Sequence, residues 1–513
     1  MFRYIIKKIK VFSYSFQSER KRQNKSIKPK YEIPSAIEDI DSYFKKKFEN
    51  CINFYKRVIS IGNKKMLIAY IDGFVNAERL ELGIMKPILD MSGKIKLHND
   101  RITIDDIKNT ILPAQVTEID NMECATDYFY MGYVVLFLEN ESYALCIKIS
   151  ETAKQSKSEA EVEHSIRGPK EALIEHSLKN LFLLTKQIKN PDFKSELLIL
   201  GERTKRHVYM CYLKGIAKDQ IINQVKTRLE EIDIDGLIDI NFINEYISDN
   251  PFTFFPLAGY HERPDTVAAQ ILEGRVAILC DGSPFAITVP HMFIENIQNS
   301  EDYFGKPIFG SFIRTLRLIC FISALLLPAL YIAFLNFEHQ VTPFELLITA
   351  AAGQEKIPFS SILEALSMVL SFEILKEATV RMPKGIGQTI SIVGALVLGE
   401  AAVKAGFASN LIVIVLALTA ICSYVNTNLM DATSLYRLGY IFAANIFGLA
   451  GIVFLSAFLV LHMCSLTSFG IPYMSPLSPV NTEGLKDAVF RFPLKSMKFR
   501  PKGLSQNEKR RAD

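Results

Sequence analysis

The chain has 513 residues, 49% of them apolar and 22% charged, with a net charge of +4. At about 150 residues per domain this makes three to four domain-sized pieces, and charge-free runs over 318–337, 405–430 and 438–482 exclude a purely soluble protein. The first thirty residues hold ten Lys or Arg against Glu19 alone, a net of +9, so the remainder sums to −5; an acidic body with one basic arm excludes a nucleic-acid-binding protein.

Residues 1–30 form that arm. Lys7, Lys8 and Lys10 interrupt its apolar residues, so it has no continuous secretory core and reads as a basic amphipathic or a disordered segment. Beyond it, Ile37, Ile40, Phe44, Phe48 and Ile52 share one face and predict a helix over 36–57. A strand at 66–71, a helix at 76–90 and strands at 133–139 and 142–148 follow, completing a first α/β subdomain over 31–150. The polar stretch 151–167 reads as a linker. A second α/β subdomain, 168–310, opens on Gly168-Pro169 with a helix expected over about 170–189. Strands at 196–200 and 207–213, a helix at 219–231, a helix from Pro264 to Glu273 and a hairpin of 275–280 with 285–289 complete it. Eight scattered cysteines without a Cys-x-x-Cys suit a reducing, cytosolic compartment.

Four spans stand out in a membrane domain over 311–465: about 312–335, 386–404, 409–425 and 439–463. Arg314 and Arg317 before the first span place its N-terminal side inside. The tail 466–513 is basic, with nine Lys or Arg against four Asp or Glu after residue 482, and also reads as cytoplasmic. Both ends inside require an even number of crossings, four as counted. Residues 358–380 are long enough to span but carry Glu364, Glu373, Lys376 and Glu377, so this helix is amphipathic or pore-lining. If both it and 342–353 cross, the count becomes six.

No phosphate-binding loop, no metalloprotease helix and no nucleophile elbow is present, so no catalytic, cofactor-binding or metal residues are assigned and an enzyme is not expected. The informative residues are polar ones in the apolar half. Ser361, Glu364, Met368, Ser371 and Leu375 align on one face of 358–380 and are pore-lining candidates; an amphipathic helix on the membrane surface accounts for the same pattern. Glu400 and Lys404, four apart, form either a local ion pair or charges at a pore mouth. Gly394, Ala395, Gly399, Gly448, Ala450 and Gly451 allow close helix packing. Glu262, Arg263 and Asp265 stand just before the first span, as a structural joint or as residues that couple the soluble half to the helices.

Several blocks resemble the A subunits of spore germinant receptors. They include Arg167-Gly168-Pro169-Lys170-Glu171-Ala172, Gly201-Glu202-Arg203-Thr204-Lys205, Glu262-Arg263-Pro264-Asp265, the run 272–290, FEILKEA at 372–378, ISIVGALVLGEAAVKAG at 390–406 and SFGIPYMSPLSP at 468–479. The order and spacing of these blocks make the resemblance specific. It implies a multi-pass subunit of the spore inner membrane with cytoplasmic N-terminal region and tail. Its partners would be a transporter-like, nutrient-binding B subunit and a C lipoprotein. It further implies a symmetric homo-oligomer, a pentamer, acting as a ligand-gated channel for monovalent cations. An auxiliary sporulation membrane channel of the same family, or a non-conducting, transporter-like scaffold for the receptor complex, are the alternatives. The chain departs from the family at Glu400, at Val369 where an acidic residue usually follows the Met, at Thr379 in place of Gly, and in lacking a Pro near 425–430.

Overall fold

The computed structural model describes residues 31–91, 102–113, 115–149, 159–163, 165–340, 343–355, 357–382, 399–501 and 503–506. The basic arm, 151–158 of the linker and 386–398 of the second expected span, with Gly394 and Ala395, lie outside these residues. Two compact units divide the chain, residues 1–156 with 181–196, and 157–180 with 197–513.

The first unit is built on an antiparallel sheet of β1 (Phe54–Ile61), β2 (Lys64–Ile71), β3 (Val116–Ile119), β4 (Tyr133–Leu138) and β5 (Ala144–Lys148), in the order β1-β2-β4-β5-β3. Its central strands are apolar on both faces because both are covered. Leu67, Ala69, Val135 and Phe137 pack with Ile37, Ile40 and Phe44 of α1 (Ile37–Lys47). The alternate residues Met66, Ile68, Val134 and Leu136 pack with Ile84, Ile88 and Ile104. The expected helix 36–57 stops at Lys47: Asn50 adopts φ +56°, and the chain turns into β1. The expected helix 76–90 is present as a helical stretch over 77–91 with π geometry at Glu81–Met85, and two further helices, α2 (Ile104–Thr110) and α3 (Met122–Phe129), also lie in this unit.

Helix α4 (Ser177–Gln187) and strand β6 (Phe193–Leu200) carry the chain from one unit to the other. The expected helix from residue 170 begins only at Ser177. The second sheet has the order β6-β7-β9-β10-β8, with β7 (Arg206–Leu213), β8 (Gly259–His261), β9 (Val276–Cys280) and β10 (Ala286–Val289). Helices α5 (Asp219–Glu230) and α6 (Ile240–Ile247) cover one face through Ile221, Val225, Leu229, Ile240, Ile243 and Ile247. Helix α7 (Pro264–Leu272) starts with its proline at the first turn.

The helical region that follows comprises α8 (Pro307–Asn336), α9 (Phe344–Gln354), α10 (Ser361–Arg381), α11 (Asn410–Val425) and α12 (Met430–Ser465). Residues 307–336 and 427–465 are apolar and long enough to cross a bilayer. Yet α12 is not one rod. Gly448 has φ +59° and ψ −140°, non-helical values, and Tyr440 Oη lies 3.1 Å from Ser456 Oγ. Sixteen residues of continuous helix would separate those positions by about 24 Å. Gly439 also abuts Leu455. The chain therefore reverses at Gly448 into two antiparallel arms, and the stretch expected to be a single span, 439–463, straddles that reversal. Gly448 packs closely, as expected, since a Cβ there would lie 2.9 Å from Phe337, and its positive φ also makes it the turn.

Contacts order the helices between a near end, beside the second sheet, and a far end. Asn426 Nδ2 donates to Arg317 O (2.8 Å) and Thr253 Oγ1 lies 3.4 Å from His462 Nε2, which puts 317, 426 and 462 near. Tyr331 Oη lies 2.9 Å from Ser409 Oγ, and a Cβ on Gly448 would touch Phe337, which puts 331, 409 and 448 far. Helix α8 thus runs near to far, α10 and α11 far to near, and the arms of α12 out and back.

Candidate functional site

Three polar centres punctuate this otherwise apolar region. The first is the near-end joint. Asp302, in the short helix Glu301–Phe304, accepts from Arg314 Nε (2.9 Å) and Arg317 Nη1 (2.9 Å) of α8. Arg314 is fully buried and also donates to Asp487 Oδ1 (3.0 Å) and to Ala488 O (2.9 Å) of the C-terminal tail. The tail's Arg491 lies over the Tyr303 ring and donates to Gly305 O (3.0 Å). Alongside, Arg275 Nη2 meets Glu295 Oε1 at 2.8 Å, and His291 Nδ1 lies 3.3 Å from Glu295 Oε2. Burial works against the Glu295 charge, but Arg275 and His291 outweigh it and hold its pKa down to about 2.

The expected coupling residues lie next to this joint. Glu262 is buried, and its carboxylate accepts from the backbone N–H groups of Glu161, Val162 and Glu163 (2.8, 2.8 and 3.3 Å). Glu301 similarly accepts from the N–H of Ile166. The carboxylates hold 161–163 and 166–167 as a strap, and 170–176 does not extend α4 backwards because Leu173 N is given to Glu262 O (2.8 Å) and Ile174 N to Asn180 Oδ1 (2.8 Å). Arg263 grips Asp265 with two bonds (3.0 and 2.7 Å) and faces the Phe304 ring. Gly168 is required there: at φ +129°, a Cβ would lie 2.6 Å from Phe304. Strap, Glu301, Asp302 and the arginines of α8 form one connected polar route.

The second centre is Arg437, 1% exposed, in the outgoing arm of α12. Its Nε donates to Ala324 O (2.9 Å), its Nη2 to Ser423 Oγ (2.7 Å), and its Nη1 lies 3.4 Å from Glu373 Oε1. Ala324 is four residues before Pro328 of α8, and proline has no N–H to give that carbonyl. The guanidinium fills the vacancy, so one side chain joins α8, α10, α11 and α12. Glu373 also pairs with Lys376 and accepts from Ser434 Oγ (3.0 Å).

The third centre is Glu364, at the far end. Its Oε1 accepts from Ser409 N (2.6 Å), whose own side chain caps α11, and its Oε2 lies 3.5 Å from Tyr331 Oη. Ser361 Oγ, beside it, bonds Asn336 and Gln354.

These contacts decide which way α10 faces. Of the stripe Ser361, Glu364, Met368, Ser371 and Leu375, the first two are buried and the rest half-buried against the chain's own helices. Leu363, Leu370 and Ile374 are the exposed side. The polar stripe packs inward because a carboxylate finds its hydrogen bonds at the start of α11, whereas the leucine face needs none. Glu364 therefore does not face an open lumen within one chain. Glu400 and Lys404 pair with each other at 2.6 Å and are exposed. Arg437, Glu373 and Asp302 were missed as a set. The available signal was a lone arginine directly before the charge-free run 438–482, and a proline inside an apolar helix. Among the described residues, no three His, Cys, Asp or Glu side chains converge on a metal-sized site.

Comparison with known proteins gives this architecture its relatives. Residues 42–503 match the family described as Bacillus/Clostridium GerA spore germination protein. The chain is 34% identical to spore germination protein KA of Bacillus subtilis (strain 168), covering 95% of this chain and 90% of that protein. It is 37% identical to the uncharacterized membrane protein YfkQ of the same organism, covering 91% of each. It is 30% identical to spore germination protein GerQA of Bacillus cereus, covering 93% and 94%. Among solved structures, the N-terminal domain of the A subunit of the Bacillus megaterium germinant receptor GerK3 is 26% identical, with a TM-score of 0.41, covering 52% of this chain and 99% of that one. A match running over residues 42–503, and relatives 30–37% identical over nine-tenths of the chain, establish that the chain belongs to the GerA family of spore germination proteins.

Proposed function

We propose that this chain is a germinant-receptor A subunit that sits in the spore inner membrane and crosses it six times, with its N-terminal region and its tail both on the cytoplasmic side. It works with a transporter-like B subunit that binds nutrient and with a C lipoprotein. Copies assemble as a ring of five that releases monovalent cations when nutrient binds the complex. The observation that carries a signalling role is the polar route from the strap at 161–163 and 166–167, through Glu301 and Asp302, into Arg314 and Arg317 of α8. Buried charge-assisted bonds transmit displacement because breaking them is costly. The alternation of near and far ends supports an even number of crossings, which returns both ends to one side.

Conduction is the finer step. A lumen would run along the ring axis and be lined by faces that one copy leaves accessible. Of the five candidates, Met368, Ser371 and Leu375 are half-buried and keep only part of their surface for such a lumen, and Glu364 acts by shaping the start of α11. The burial of Glu364 favours a second reading, in which the subunit couples its partners without conducting. Liposomes carrying the full-length chain with its partners and loaded with potassium separate the two. Nutrient-triggered efflux that Ser371→Leu alters in an assembled complex supports conduction here; efflux unchanged by Ser371→Leu transfers it to a partner.

A further inference from the structure

A cavity of about 950 Å³ opens between the second sheet and the near ends of α11 and α12. Its walls come from β8, from Thr266 and Gln270 of α7, from the loop 248–258, and from residues 425–428 and 431 at the helix ends. Six carboxylates line it, those of Glu163, Glu245, Asp265, Glu273, Glu295 and Asp431, against one arginine, Arg317. Arg263 and Arg275 stand behind the wall and pair with Asp265, Glu273 and Glu295, so part of this charge is already met. Glu245, on α6, and Asp431, on α12, are exposed.

Several wall oxygens lack partners. Asn426 is 4% exposed, and with its Nδ2 given to Arg317 O its Oδ1 has no hydrogen bond. Gln270 Oε1 and Thr266 Oγ1 likewise have none. Buried amide oxygens without donors are costly, at about 1–3 kcal/mol each, and they call for an occupant that donates. Phe254, Phe255, Tyr260 and Phe285 supply apolar wall between the polar groups. The volume matches a small-molecule site rather than a bare ion, and the lining offers no set of metal ligands. Acid-rich walls disfavour an anion, and aromatic rings beside carboxylates are the recognition chemistry of ammonium groups.

We propose that this cavity binds a small organic cation, a primary or quaternary ammonium compound. Such an occupant would touch the soluble sheet on one side and Asn426 and Asp431 at the helix ends on the other. It would thereby favour one arrangement of the two over another. The site is independent of whether the ring conducts.

The test is calorimetric titration of the full-length chain in lipid nanodiscs, at constant potassium, with choline, ethylammonium and the neutral choline isostere 3,3-dimethylbutan-1-ol. At least one ammonium probe is expected to bind, with the neutral isostere about tenfold weaker. The exposed pair Asp431→Asn with Glu245→Gln should lower ammonium affinity by about tenfold and leave thermal unfolding unchanged. Gln270→Leu provides an independent check on the hydrogen-bonding wall. Equal binding of the isostere overturns the proposal, as does displacement by equimolar potassium, which would mark an inorganic-cation site. Absence of binding at about 10 mM overturns it too. Because no flux is measured, a chain that fails to conduct leaves this result readable.

Discussion

Replacing Arg437 tests the idea that a single guanidinium holds the helices together at the position where Pro328 interrupts their bonding. Hydrogen bonds from a charged donor contribute about 1.5–3 kcal/mol each. Removing one partner of a buried ion pair costs about 3–5 kcal/mol. Here the second figure is an upper bound, because Glu373 keeps Lys376 and Ser434 and its side chain is 26% exposed. Ser423 Oγ still donates to Thr419 O (2.9 Å), so the group left wholly unpaired is the Ala324 carbonyl. Arg437→Met should therefore destabilise the folded chain by about 3 kcal/mol. Arg437→Lys, which keeps the charge but not the fork, should cost about 2 kcal/mol. The carbonyl's share can be isolated. Pro328→Ala returns the N–H that Ala324 would receive in an ordinary helix, so Arg437→Met should cost about 1 kcal/mol less in that background. Reversible unfolding in mixed micelles across the four proteins of this cycle measures the difference. A cost below about 1 kcal/mol for Arg437→Met, or an equal cost in both backgrounds, would refute the reasoning.

Two further outcomes follow from the geometry. Glu295, held at about 2 against an unperturbed 4.5, has a folded pKa below its unfolded one. Its contribution, about 3 kcal/mol, is present above pH 4.5 and is lost as pH falls towards 2; acid unfolding of Glu295→Gln should show a correspondingly shallower dependence across that window. The reversal at Gly448 predicts that cysteines at Tyr440 and Ser456 join through a short bismaleimide, which an unbroken helix about 24 Å long between them would forbid. Gly448→Ala should reduce that yield and destabilise the chain by about 2 kcal/mol or more, since a Cβ would lie 2.9 Å from Phe337 at a backbone angle L-residues avoid.

Much of the α/β half was legible because period and punctuation agree there. Strand β2 followed from its apolar run, helix α5 from Asp219, and the β9–β10 hairpin from Asp281-Gly282. The failures have physical causes. The face Ile37–Phe48 continues past the helix end because Phe48 packs on Phe54, and periodicity alone cannot see a left-handed Asn50. Gly168-Pro169 looks like a helix start, but the N–H groups of Leu173 and Ile174 go to Glu262 O and Asn180 Oδ1 instead of into a helix. For α10 the sequence separated a polar face from an apolar one correctly and could not say which faced inward. That was decided by Ser409 and Tyr331, far away in the chain. Arg437 was invisible as a centre for the same reason: its partners come from three other helices.

After the last apolar helix the chain returns to the second sheet. Ser468 Oγ donates to Leu257 O, Phe469 lies in the sheet's core cluster beneath Arg228, and Gln506 N bonds Ile216 O. The core of the second sheet is thus completed by residues that follow every apolar helix in the chain. A chain that stops short of residue 467 would therefore leave the place of Phe469 in that core unfilled, so the packing of this sheet depends on residues that the whole helical region separates from its strands.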